Sequence, residues 1–138
     1  MTPVAAQTIL AFDFGLKRTG VAVGNTLTGG ARPLTTIETE ENAKRFARIE
    51  ELLAEWQPDF LVVGVPFDQY GGETPMVRRA RRFGQQLGGR YGLPVKFVDE
   101  RYSSAVVEDA MRPGKDDKAA VDAAAAAVIL QAWLDQQT

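Results

Sequence analysis

Three carboxylates carry the chemistry this sequence can offer. Asp13 closes the apolar run Ile9-Leu10-Ala11-Phe12, Glu100 follows the run Val95–Val98 behind Asp99, and Asp122 stands near the start of the last apolar stretch. An ionised carboxylate at a buried strand is costly unless it is paired or binds a cation. Each acid alone also has a plainer reading: Asp13 as a turn cap, Glu100 as a solvated turn residue, and Asp122 as a favourable charge at a helix N-terminus. Helix geometry argues against the last of these. Ala126, Ile129 and Trp133 share the face of Asp122, and that face is apolar. The Asp122 carboxylate is therefore expected to point inward.

If Asp13, Glu100 and Asp122 converge, they cannot all stay ionised without a cation. Mg²⁺ or Mn²⁺ suits such an all-oxygen metal site, with Asp99 as a supporting or alternative ligand. Ions bound in this way serve phosphoryl transfer, activating water and stabilising the leaving oxygen. Without metal, a water or a protonated member of the cluster should bridge the acids.

The rest of the composition narrows the choice. The chain contains neither Cys nor His. Disulfides, thiol nucleophiles, imidazole bases and the usual zinc ligands are thereby excluded. A net charge of −2 supplies no global attraction for a polyanion, so any grip on nucleic acid must be local. Lys17 and Arg18 lie beside Asp13, and Arg101 lies beside Glu100. Arg78, Arg79, Arg81 and Arg82 crowd one side of a helix-patterned stretch, where a more distant phosphate or simple solvation accounts for them equally.

These residues need elements to hold them. Ile9–Asn25 reads as two antiparallel strands joined by a tight turn, followed by a third strand over Pro33–Thr39. Glu40–Gln57 has helical spacing, with Phe46, Ile49, Leu52, Leu53 and Trp56 inward and Lys44, Arg45, Arg48, Glu51 and Glu55 outward. Phe60–Val65 is apolar enough for a central strand buried on both faces. Pro66–Thr74 is a loop beyond that strand, and Pro75–Arg90 a second helix with Val77, Ala80, Phe83 and Leu87 inward. Val95–Val98 reads as another buried strand. A short helix capped by Ser103 or Ser104 should run through Met111, then a polar loop Arg112–Lys118, then a helix over Ala119–Gln136 packed closely on the sheet. The order predicts an α/β fold: one mixed sheet of about five strands flanked by helices. The length of 138 residues suits one domain over 1–138. No apolar run is long enough to span a bilayer, and MTPVAAQ lacks the basic region of a secretory signal. A cytoplasmic protein without membrane partners is expected, as monomer or homodimer.

DFGLKRTGVAV, GVPFDQYGG, DERYSS and VDAAAAAVILQAWL come in an order that resembles the YqgF/RuvX family over nearly the whole chain. The resemblance implies an RNase H-like fold. It also implies a nuclease, described for the family as a Holliday junction resolvase and as processing the 5′ end of pre-16S rRNA. Catalytic acids would carry over to Asp13, Glu100 and Asp122, and the partner would be RNA or branched DNA. Lys17, Arg18 and Arg101 would then lie near the scissile phosphate, with Arg78, Arg79 and Arg82 further along. Three departures stand out. Gly24-Asn25 replaces the family's frequent Ser-Asp, and Ala125-Ala126 stands where related resolvases carry a further acid. Lys115 and Lys118 flank Asp116-Asp117 in a loop that is often strongly basic. A non-enzymatic alternative is an RNA-binding ribosome maturation factor with a vestigial acid site. Sugar-kinase and actin-type ATPases share an Asp near a Gly-rich turn, but close two such domains around the nucleotide.

Overall fold

The computed structural model describes residues 6–68, 70–100 and 118–137. Its centre is a five-stranded sheet in the order β3-β2-β1-β4-β5. The strands are β1 (Thr8–Asp13), β2 (Arg18–Asn25), β3 (Gly30–Glu38), β4 (Phe60–Val65) and β5 (Val95–Asp99). The first three are antiparallel neighbours, whereas β1, β4 and β5 run parallel. Parallel strands need a crossover between them. Helix α1 (Asn42–Trp56) links β3 to β4, α2 (Pro75–Tyr91) links β4 to β5, and α3 (Lys118–Gln136) closes the chain.

Strand alternation sorts the core into two layers. Leu10, Phe12, Val21, Leu61 and Val63 face α1 and α2, where they meet Phe46, Ile49, Leu52, Phe83 and Leu87. Ile9, Ala11, Ala22, Phe60 and Val62 face the other way, onto Ala126, Ala127, Ile129 and Leu130 of α3. The middle of β1 is fully buried because both faces are covered. The α3 face is built from small side chains, so helix and sheet approach closely. At Gly20 an added Cβ would stand 1.9 Å from the Asp122 carbonyl oxygen. Any larger residue there would push the start of α3 off the sheet.

Local signals set the ends of the helices. Thr74 caps α2, its hydroxyl accepting from the Val77 N–H at 3.3 Å, and Pro75 occupies the first turn. Gly92, at φ 67°, ends that helix. Gln57 ends α1 in the left-handed region ahead of Pro58. Between β2 and β3 the register slips at Val21/Ala22, opposite Pro33, which has no N–H to give to the ladder.

Three expectations are corrected. First, β5 is an edge strand and not a buried one: Phe97 is exposed and only Val98 is buried, because among the described residues no strand pairs beyond it. Second, Arg45 is not on the solvent face of α1. It is buried, donating to the carbonyls of Leu16 and Thr39, so it ties the β1–β2 turn to the entry of α1. Third, the element bounds shift: α1 begins at Asn42, β3 at Gly30, and Lys118 already belongs to α3. The expected helix from Ser103 or Ser104 to Met111, and the loop that follows it, lie outside the described residues. No described helix is long and apolar enough to cross a membrane.

Two glycines test the layer spacing. Gly20→Ala should cost about 1–3 kcal/mol, seen as a lower urea midpoint at unchanged slope. Gly89→Ala meets no atom within 4 Å. Because Gly89 lies within α2, that change should stabilise by about 0.5–1 kcal/mol. A Gly20→Ala protein as stable as its parent would show that α3 does not lie this close.

Candidate active site

The three parallel strands deliver their C-terminal ends to one edge of the sheet. Register places Val65 of β4 opposite Asp99 of β5, and Phe12 of β1 opposite Val63. Asp13 therefore lies beside Gly64, and Glu100, just past the end of β5, reaches back over Gly64 with its side chain. By alternation Asp13 shares the α3 face with Ile9 and Ala11. Gly64 shares that face with Phe60 and Val62, and its missing side chain leaves room above it. A Cβ at Gly64 would meet Glu100 Oε1 at 2.9 Å and Ile129 Cδ1 at 2.6 Å. The Glu100 carboxyl occupies this space and hydrogen-bonds to Asp13.

Two carboxyl groups in contact must share a proton. Burial, the hydrogen bond to Asp13, and the charges of Asp13 and Asp99 push Glu100 up to about 9. Burial also raises Asp13, as does the charge of Asp122, while the hydrogen bond from Glu100 works the other way. Burial thus drives both carboxyl groups upward, and the pair holds one proton between them.

Asp122 reaches the same site from α3. It stands beyond the helix's first turn, so the helix-terminus reading does not apply. Its carboxylate accepts from Arg18 Nε at 2.8 Å, with both side chains partly buried. Arg18 opens β2 on the α3 face, and Gly20, two residues on, lets the backbone of α3 settle against that strand. The acids thus form a pair with a proton, and a third member held by an arginine. Among the described residues, no three acids are grouped to grip an ion as they stand. The donor chemistry nevertheless suits a hard divalent cation: the groups are all carboxylate oxygens, and the pair already requires a positive partner in the form of a proton.

The basic residues are distributed unequally. Lys17 is exposed in the β1–β2 turn, one residue from Arg18. Arg101 lies outside the described residues. Arg78, Arg79 and Arg82 are exposed on the first half of α2. Their helix packs on the other face of the sheet from α3, so they sit across the strand-end edge from the acids. Arg81 is instead taken up by Glu73, and its guanidinium lies over the Phe67 ring at 5.3 Å.

Sequence reasoning missed the two enabling glycines and the Arg18–Asp122 pair. A Gly inside an apolar strand pattern marks a close approach, so Gly20 and Gly64 left a readable signal. The ion pair joins residues 104 positions apart and left none.

The shared proton makes stability depend on pH. Glu100 titrates near 4.5 ordinarily and about 9 here. The native protein therefore holds the proton more tightly than the unfolded chain. That contribution is fully present below about pH 4.5 and is lost as pH rises through about 9. Metal-free thermal melts should fall across this window, and Glu100→Gln, which keeps a donor to Asp13, should flatten the fall. A parent protein whose melting temperature ignores pH there would show that the pair shares no proton.

Comparison with known proteins adds a family. The model for RuvX, described as Holliday junction resolvase, matches residues 7–136. A Bordetella pertussis protein named "Putative pre-16S rRNA nuclease" is 54% identical over 129 residues, covering 94% of this chain and 94% of that protein. A protein of the same name from Burkholderia multivorans is 53% identical over 139 residues, covering 98% and 93%. Among solved structures, Thermus thermophilus RuvC in complex with a Holliday junction substrate superposes with a TM-score of 0.58. It is 21% identical and covers 95% of both chains. That likeness gives the RNase H-like fold.

Proposed function

This chain belongs to the RuvX family of Holliday junction resolvases and is a nuclease, and from that footing we propose that it is a metal-dependent endonuclease cutting pre-16S rRNA near its 5′ end. The observation that carries the reading is the Asp13–Glu100 pair, buried around one proton at the strand-end edge with Asp122 alongside. The name shared by the relatives supports RNA as substrate over branched DNA.

Asp13 and Glu100 would hold the metal from the strand ends and Asp122 from α3, with Asp99 next to them. A bound Mg²⁺ or Mn²⁺ supplies water activation and stabilisation of the leaving oxygen. The Asp13–Glu100 pair would give up its proton for a bound cation, so loading should release protons and weaken at low pH. Arg18 uses Nε on Asp122 and keeps its terminal N–H groups for a phosphate oxygen. Lys17 adds an exposed charge beside it, and Arg101 belongs to the same motif as Glu100. Arg78, Arg79 and Arg82 would hold phosphates further along the strand. Such contacts give affinity and salt dependence without reading bases.

The test sets a pre-rRNA fragment beside a four-way DNA junction, each with Mg²⁺, Mn²⁺ or EDTA. Cleavage of the RNA, lost in EDTA, is expected. Asp13→Asn should abolish cleavage while binding holds or strengthens, because a negative charge beside the phosphate is gone. Arg18→Ala should weaken binding and flatten its salt dependence. Cleavage that survives Asp13→Asn would refute the mechanism. Preferential cutting of the junction would make branched DNA the substrate. A wild type that binds RNA through Arg18 and never cleaves would be a maturation factor.

A further inference from the structure

Across the β1–β2 turn from the acids, a cleft of about 460 Å³ opens between α1 and α2, and none of the three acids lines it. Its volume falls in the range of small-ligand pockets, about 300–1,000 Å³. One wall is apolar. Phe14 stacks on Phe83 with ring centroids 4.8 Å apart, and Leu16 beside it is 47% exposed. The other wall is basic, formed by Arg79 and Arg82 of α2. Neither has a carboxylate within salt-bridge distance among the described residues.

Arg45, also lining the cleft, is a second and independent sign of an anion. Only 2% exposed, it donates to the Asn42 side chain and to the carbonyls of Leu16 and Thr39, the last two at 2.9 Å, and lies over the Phe14 ring at 5.1 Å, with no carboxylate partner among the described residues. Its Nε is buried with no partner. A guanidinium buried without a counter-ion is costly, and burial lowers its pKa. Glu40 is the one carboxylate among the lining residues, against three guanidinium groups. In a chain of net charge −2, this is a local excess of positive charge.

The cleft also lies in the right place. Asp13 and Phe14 are consecutive, and their side chains take opposite faces of the sheet. A strand crossing the acids needs only to pass over the turn at Lys17 to enter the cleft. An apolar wall with exposed Leu16 beside the guanidinium groups of Arg79 and Arg82 is the chemistry that takes an unpaired nucleotide, the base against the wall and the phosphate on arginine. A base that is paired and stacked in a duplex cannot turn onto that wall. We propose that the Phe14–Arg45–Arg79–Arg82 cleft is a subsite for an unpaired RNA nucleotide flanking the cleavage position. This rests on the nuclease reading above and adds a substrate feature: a single-stranded flank next to the cut.

The test measures binding of a blunt RNA duplex and of the same duplex with a single-stranded extension, using Asp13→Asn protein so that nothing is cut. The extension should tighten binding about tenfold. Adding Arg79→Gln and Arg82→Gln should bring the ratio between the two RNAs close to one. Adding Arg78→Gln instead, exposed but outside the cleft, should weaken both RNAs alike and leave the ratio intact. A 4-thiouridine in the extension should crosslink to Phe14–Lys17 or Arg79–Gln86. The subsite is refuted if Asp13→Asn protein binds both RNAs equally, or if the double change keeps the preference, and in either case the nuclease reading stands. Failure to bind either RNA would instead bring down the RNA-nuclease reading together with the subsite.

Discussion

The contact between the carboxyl groups of Asp13 and Glu100 sets the terms for everything around it. Two acids brought together at a buried sheet edge repel one another unless a proton or a metal stands between them. The fold commits a buried strand to this contact, since β1 leads directly into Asp13. It then leaves out a side chain at Gly64 so that Glu100 can lean across β4. A residue with a Cβ at that position would press on the Glu100 carboxyl and force the pair apart.

The two faces of the sheet divide the labour. Large side chains fill the space beneath α1 and α2, where Phe12, Phe46 and Phe83 cluster. Beneath α3 small residues stand among the larger ones, and Ala11, Ala22 and Ala126 let the helix come close. A helix carried at ordinary distance by large side chains would hold Asp122 away from the strand ends. The thin layer on the α3 face is therefore part of the site, and the thick layer opposite provides most of the apolar packing.

Arg18 links charge balance to substrate. With no cation between the acids, it neutralises Asp122 while the proton neutralises Asp13 and Glu100. A phosphate taken up by its terminal N–H groups would share that guanidinium with Asp122. Metal loading and nucleic-acid binding would thus draw on one set of charges, and each would alter the cost of the other.

The sequence by itself determined the strand and helix order, the mixed sheet, the inward direction of Asp122 and the candidate acids. These follow from local periodicity: a run such as FLVVGV can only be a buried strand, and residues 4 and 7 positions beyond Asp122 must share its helical face. Tertiary structure alone decided three things. It made β5 an edge strand, because the neighbours of a strand are not encoded in its own residues. It buried Arg45, whose carbonyl partners at Leu16 and Thr39 come from other elements. And it raised the pKa of Asp13 and Glu100, because a pKa depends on burial and on charges far apart in the chain.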